Sequence, residues 1–357
     1  MTADIDNLAS PDAVTRDSLP SSPQDQKPTV GSVVSSLVHK GFTMYPVILL
    51  MVVVGSIWAP RFLTTTNIIN ILAQVVVLGL VTLGLTFVLL IGRLDLSLEA
   101  IVGFVPMVAA WLMVPEIAGG LGTEIPGWAG LLVAMGVAGA IGWINGFLVI
   151  KVGLNPFIST LGMLVLLRGA ILIVSNGRSI YSPPDAFTFL GSHLWASVPI
   201  SVFVLLAVAL VVGVIFQYHR YGRALYAVGG NEDAARAAGI KVDRIIWSAF
   251  IFAALLAGLA GIILTGRLDS VVTTQGQGLI FDCFAAAVIG GVSLGGGKGT
   301  VIGAMSGVLL IGVINNLLTL AQVPSFYVQA STGAVIIVAA VLAALASRNS
   351  TGVKTRT

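Results

Sequence analysis

The sequence predicts an all-α class: a polytopic membrane helical bundle of about ten transmembrane helices. Three observations carry this. Apolar residues make up 57% of the 357-residue chain and charged residues only 9%, whereas soluble domains hold about 25% charged residues. The apolar residues fall in long unbroken runs without strand-like alternation, and lipid admits only structures that satisfy their own backbone groups. At about 20 residues per span, the roughly 203 apolar residues (57% of 357) set a ceiling near ten spans. A nucleic-acid binder or a cytosolic enzyme is excluded by the same composition.

Residues 1–40 carry five acidic and three basic residues among Pro, Ser and Gln, too polar to bury a core, and read as a disordered cytoplasmic tail. No basic segment leads directly into a short apolar core with a cleavage site, so the first apolar run is expected to be a retained span. The membrane domain covers 41–347, and 348–357 form a second cytoplasmic tail. Intervals free of charge apart from Arg168 and Asp282 place spans near 45–60, 68–91, 100–114, 128–150, 157–175, 199–216, 245–266, 282–294, 301–320 and 330–346. The last two are divided at Gln322-Val323-Pro324-Ser325, where polar residues and Pro break the pattern; nine or eleven spans fit similar boundaries. Small-residue spacings such as Gly79-Gly84, Gly136-Ala140, Gly258-Gly261 and Gly303-Gly307 are expected to allow close helix packing.

Orientation follows from the basic residues. With the tail inside, only Arg61, Arg168, Arg178 and Arg267 of the 18 Lys and Arg fall on or near the outer side. The other fourteen lie inside, so both termini are expected in the cytoplasm and 176–198 becomes the largest external segment. Trp58, Trp128 and Trp195, near outer span ends, read as interfacial anchors. The second and seventh spans both end in Gly-Arg-Leu-Asp, at 92–95 and 266–269, on opposite faces. That suggests an inverted repeat of spans 2–5 and 7–10, in which the short third and eighth spans correspond. Paired short or interrupted segments point to a transport site, because broken helices expose backbone groups to a polar cavity.

The segment 217–244 is the longest internal cytoplasmic loop, and its sequence encodes a short helix. Asn231 can cap the first turn, Glu232 and Asp233 favour its positive end, alanines supply propensity, and Gly239 ends it. A cytoplasmic helix too short to span invites docking to another protein. Gly291–Thr300 invites comparison with a phosphate-binding loop but lacks Ser or Thr after Lys298 and any preceding strand. It reads instead as a tight helix connection, so ATP hydrolysis is expected from another chain. The single cysteine, Cys283, allows no intramolecular disulfide, and His39, His193 and His219 offer no metal-ligand spacing. No catalytic constellation presents itself, so the chain is not expected to be an enzyme.

The string GNEDAARAAGI from Gly230 resembles the coupling segment of membrane permeases of ATP-binding-cassette importers, in particular the ribose and simple-sugar permease family. GRLDLSLEAIVG from Gly92, LNPFISTLGMLVLLRG from Leu154 and AAVIGGVSLGGGKGTVIGAMSGVLLIGVINN from Ala286 are similar to the same family, over roughly 65–345. The resemblance implies a dimeric permease that pairs with a second copy or a paralogue. Its partners would be cytoplasmic ATPase subunits and an extracytoplasmic solute-binding protein, in a bacterial inner membrane. The chain itself would bind no cofactor, ATP and magnesium belonging to the ATPase. Gly230, Asn231, Glu232, Asp233, Ala234, Ala235, Arg236, Ala238 and Gly239 would seat in an ATPase groove. Arg93 and Glu99 depart from the family pattern, where glycines stand. Branched-chain amino-acid permeases are more distant relatives, and they and an ion-coupled secondary carrier are the competing readings.

Candidates for a translocation path or gate are Asp95, Ser97, Asn155, Ser159, Thr160, Arg168, Asp282, Asn315 and Asn316. An intramembrane cation such as Arg168 is costly unless it faces the bundle or water, so function is its default reading. A structural pairing or snorkelling to the outer surface accounts for it equally well. The Asn, Ser and Thr residues suit a hydroxyl-rich solute, and equally serve to hold helices together.

Overall fold

The computed structural model describes residues 44–324 together with 327, 330, 333 and 334. Both expected tails, and the tenth expected span apart from those isolated positions, lie outside the described residues.

Twelve helices are described: α1 (Tyr45–Trp58), α2 (Thr65–Leu90), α3 (Leu98–Met113), α4 (Gly127–Ile150), α5 (Pro156–Ser175), α6 (Asp185–Ser192), α7 (Ile200–Tyr218), α8 (Arg220–Gly230), α9 (Glu232–Ala237), α10 (Val242–Leu268), α11 (Leu279–Ile289) and α12 (Val301–Leu320). Six of them, α2, α4, α5, α7, α10 and α12, are long and apolar enough to cross a membrane. At 1.5 Å per residue the 14 residues of α1, 16 of α3 and 11 of α11 reach about 21, 24 and 17 Å, short of a bilayer core of about 30 Å. The two shortest expected spans are therefore short helices joined to non-helical connections, 91–97 before α3 and 272–278 before α11.

Helices α2 and α10 form the centre. Nearly every residue of α2 from Val75 to Leu90 is buried, and α10 packs on α2, α3, α4 and α6. The two run in opposite directions, since α2 ends where α9 and the start of α10 lie. Glycine sets their approach, since a Cβ on Gly84 would stand 2.9 Å from the Ala253 carbonyl oxygen, and it sets that of α10 to α4, where a Cβ on Gly258 would stand 2.7 Å from the Ala138 methyl. Small residues bring backbones close enough for dispersion to hold helices where lipid supplies no hydrophobic drive. Gly136 is an exception to the expected small-residue packing. Nothing lies within 4 Å of a Cβ built there, because it is on a face of α4 turned away from the bundle.

The outer helices expose what the inner ones bury. Leu132, Val165, Leu166, Ile173, Leu206 and Leu210 are more than half exposed, an apolar surface that lipid or other apolar protein can solvate. Trp58, Trp128 and Trp195 are exposed, as interfacial anchors require. Segment 176–198 is tied down by a two-residue antiparallel pairing, β1 (Ile180–Tyr181) with β4 (Ser270–Val271). It ends in a hairpin of β2 (Leu194–Trp195) and β3 (Val198–Pro199), with Ala196 and Ser197 at φ 50° and 65°, the left-handed pair of a type I′ turn.

The halves repeat in order: a long helix, a non-helical connection, a short helix and another long one, of 26, 16 and 24 residues in α2, α3 and α4 against 27, 11 and 20 in α10, α11 and α12. The shared Gly-Arg-Leu-Asp does not adopt one shape. Gly92 turns the chain at φ 71° after α2 has ended, whereas Gly266 and Arg267 continue α10 and Asp269 closes it.

Asn316, one of the path candidates, is buried against Asn67. Its Nδ2 donates to Asn67 Oδ1 at 2.8 Å, and Asn67 Nδ2 donates to Asn316 Oδ1 at 2.9 Å and the Phe62 carbonyl at 2.8 Å. Replacing Asn316 with Ala is expected to cost about 1–3 kcal/mol by orphaning buried Asn67. Thermal melting of the detergent-solubilised protein checks this.

Candidate coupling helix and membrane cavity

Helix α9 forms as its residues dictate. Asn231 Oδ1 accepts the Ala234 N–H at 2.9 Å. At the other end Gly239, at φ 82°, donates to Arg236 O at 3.1 Å while Ile240 donates to Ala235 O at 3.1 Å. These two bonds form a Schellman cap, whose left-handed residue favours glycine. Only Ala235 of the helix is buried; Asp233, Ala234, Arg236, Ala238 and Gly239 are exposed. Arg236 bonds Glu232 at 3.3 Å and Asp243, in the first turn of α10, at 3.0 Å. Asp243 and Glu232 together hold the Arg236 pKa above its ordinary value.

The helix is anchored by groups not included in the sequence reading of the site. Arg93 Nη2 lies 2.7 Å from Glu232 Oε2. The preceding helix α8 is amphipathic, with Gly222, Leu225 and Val228 inward, a spacing legible in the sequence. Its Tyr226 hydroxyl donates to Gly299 O at 2.8 Å, and Tyr221 pairs with Ser248 at 2.8 Å. Burial pushes the Tyr221 phenol up to about 12, so it stays neutral. The glycine-rich connection 291–300 is a packing surface: Gly297 N donates to Leu90 O at 2.9 Å, and Gly229 touches both Leu90 and Gly297. Three chain segments thus meet backbone to backbone beside α9.

Within the bundle the path candidates divide. Asp95 and Ser97 are buried in the connection 91–97, where Asp95 Oδ1 accepts the Ser97 N–H at 2.9 Å and its hydroxyl at 2.6 Å. Asn145 of α4 donates to Ser97 Oγ at 2.8 Å, and Thr160 of α5 accepts the Leu96 N–H at 3.2 Å. Ser159 is buried beside Thr160 in sequence, its hydroxyl without a protein partner among the described residues. Asn155 is exposed and caps α5 by accepting the Phe157 N–H at 2.9 Å.

Arg168 faces the bundle. Its Nη2 donates to Glu99 Oε1 at 2.9 Å and its Nη1 to Gln275 O at 2.8 Å. Arg93 and Glu99 both carry ion pairs, Arg93 with Glu232 and Glu99 with Arg168. Gln275 does further work through its side chain, whose Nε2 donates to Val102 O at 3.1 Å, Gly261 O at 3.1 Å and Thr265 Oγ1 at 3.2 Å. Val102 is four residues before Pro106, so its carbonyl is the one that proline leaves without a helical donor. The signal was present in the sequence, as an interior Pro and a Gln in the connection across the bundle.

Glu99, Asp282 and Asn315 converge on a cavity of about 820 Å³, which Gln74, Arg267, Gly276, Gln277 and Gly278 also line, with Val77, Leu78, Leu264, Leu279 and Phe281 as apolar wall. Its polar side chains are three amides, Gln74, Gln277 and Asn315, and three charged groups, Glu99, Arg267 and Asp282, set among apolar side chains, a lining with donors and acceptors for a small polar solute. Among the described residues no group of three His, Cys, Asp or Glu could hold a metal ion.

The family described as the branched-chain amino acid transport system permease component matches residues 67–344. The chain is 36% identical to the ribose import permease protein RbsC of Bacillus subtilis, over 82% of this chain and 89% of that one. It is 36% identical to the D-allose transport system permease protein AlsC of Escherichia coli K12, over 86% and 92%. With the L-arabinose ABC transporter permease protein AraH of Azospirillum brasilense the identity is 32%, over 87% and 88%. No solved structure matches. The match runs from α2 through α12, with the exposed helix α9 and the cavity inside it, and the chain belongs to this family of ABC importer permease components.

Proposed function

We propose that the chain is the membrane subunit that carries a monosaccharide, or a related small polar solute, through an ATP-binding-cassette importer. The carrying observation is α9: a helix of six residues, exposed on nearly every side, yet fastened to the central helices at both ends. Such a helix transmits force without itself providing chemistry. ATP and magnesium belong to separate ATPase subunits, which seat on Gly230–Gly239, and an external binding protein delivers the solute. The α9 end of the bundle faces the cytoplasm with both termini, and a second copy of the chain or a paralogue completes the pathway. Sugar as cargo is supported by the ribose, allose and arabinose named in the relatives and by the hydrogen-bonding side chains that line the cavity. An ion-coupled carrier would leave α9 without a role.

Gly239→Pro tests the docking. Proline holds φ near about −65° and has no N–H, so it cannot adopt φ 82° or donate to Arg236. Uptake of labelled pentose or hexose by cells is expected to fall at least about tenfold, by about 1.4 kcal/mol or more, while membrane insertion is kept. Glu232→Lys, which sets a third cation beside Arg93 and Arg236, is expected to do the same. Normal uptake in both variants would sink the assignment, and uptake driven by an ion gradient in vesicles holding this chain alone would replace it.

A further inference from the structure

We propose that Arg93 is a positioning residue that carries the movement of α9 into the membrane interior through residues 92–99. The inference rests on the docking of α9 to an ATPase as argued above.

Glu232 stands between the ends of the two central helices. Its Oε2 accepts from Arg93, just past the end of α2, at 2.7 Å. Its Oε1 accepts from Arg236, which also holds Asp243 at the start of α10. A displacement of α9 therefore pulls on α2 and α10 at once. The Arg93 side of that connection continues inward without slack. Arg93 N is fixed to Val88 O at 3.0 Å and Gly92 N to Leu89 O at 2.9 Å, and the next residues reach α4 and α5 through Ser97 with Asn145 and Leu96 with Thr160. Two residues further on, Glu99 holds Arg168, which holds the Gln275 carbonyl.

The series begins at an exposed helix and ends on the cavity, since Glu99 lines it and Gln275 immediately precedes the lining residues Gly276, Gln277 and Gly278. It runs through two charged side chains, Arg93 and Glu99, each paired with a group on another element. Glycine in either place would leave the backbone intact and remove the side-chain connection. Arg93 and Glu232 are about a third exposed, and a pair in that setting contributes little to stability. Its presence at the meeting point of α9 and the central helices is better accounted for by coupling than by folding.

The test uses the importer complex, purified with its ATPase and binding protein and reconstituted in vesicles, and reads solute moved per ATP hydrolysed. Arg93→Ala is expected to keep the ATPase subunit through purification and to lower that ratio about fivefold, a coupling energy at the lower end of the usual range. Arg93→Glu, which repels Glu232, should lower it further, and Arg93→Lys, which keeps the cation, should restore most of it. An unchanged ratio in Arg93→Ala would overturn the proposal. So would loss of the ATPase subunit from that variant, which would make Arg93 a docking residue, or an Arg93→Lys variant as impaired as Arg93→Ala. An ATPase that never accompanies the unaltered chain would refute the docking reading, and this inference with it.

Discussion

Arg168→Leu is expected to cost about 3 kcal/mol or more, because removing one partner of a buried ion pair leaves the other charge uncompensated. Glu99 is only 6% exposed, and it would lose its 2.9 Å partner while the Gln275 carbonyl lost its 2.8 Å donor. The double variant Arg168→Leu/Glu99→Gln removes both charges and is expected to regain much of the stability, since apolar or neutral replacement of a whole pair is often tolerated. Function should not return with it. Glu99 faces the cavity and Gln275 precedes its Gly276–Gly278 wall, so the pair also fixes where that wall stands. Melting temperature in detergent and uptake normalised to protein in the membrane separate the two effects. Equal losses of abundance and uptake in Arg168→Leu, with both restored in the double variant, would reduce the pair to a structural role.

The sequence made the helices legible because lipid imposes a coarse rule, and nine expected spans have a helix within a few residues. Where helices break was harder to read. The connection 272–278 was not recognised as an inward-packed segment, since its Thr, Gln and Gly residues look like any polar loop. Its burial follows from a pairing across the bundle: Pro106 frees Val102 O, and Gln275 supplies the donor. Helix α9 was legible nearly to the residue, because its caps are local and depend on Asn231 and Gly239 alone. Its anchors were not, because Arg93 and Glu232 are 139 positions apart and only the fold brings them together. The same holds for Arg168, Glu99 and Gln275, which come from three segments. Asn155 and Asn316 illustrate the reverse difficulty: an amide in a span end or a helix cannot be sorted by type into cap, packing pair or path. Position in the fold decides, as Asn315 on the cavity and Asn316 against Asn67 demonstrate from adjacent places.

The junction beside α9 yields the sharpest contrast between neighbouring residues. A side chain at Gly229 has no room: its Cβ would overlap the Leu90 carbonyl oxygen and the Gly297 nitrogen. Those are the two atoms of the 2.9 Å hydrogen bond that ties the end of α2 to the glycine-rich connection. Backbone cannot move aside as a flexible side chain can, so Gly229→Val must either break that bond or push α8 away from α2. Overpacking of this kind typically costs about 1–3 kcal/mol and occasionally more, and loss of the bond adds about 1 kcal/mol. Gly230 is next in sequence, and nothing lies within 4 Å of a Cβ built on it. Gly230→Ala is therefore expected to be nearly neutral, and helix propensity at the end of α8 even favours it. Uptake should fall in step with the melting temperature in Gly229→Val, and the melting temperature should stay unchanged in Gly230→Ala. The two positions are neighbours that differ in what a Cβ would meet, so a loss confined to Gly229, and repeated by Gly229→Ala, assigns the effect to the three-way backbone junction. Losses of similar size at both positions would instead mean that the junction is looser than these contacts allow, and that α8 responds to added bulk wherever it falls.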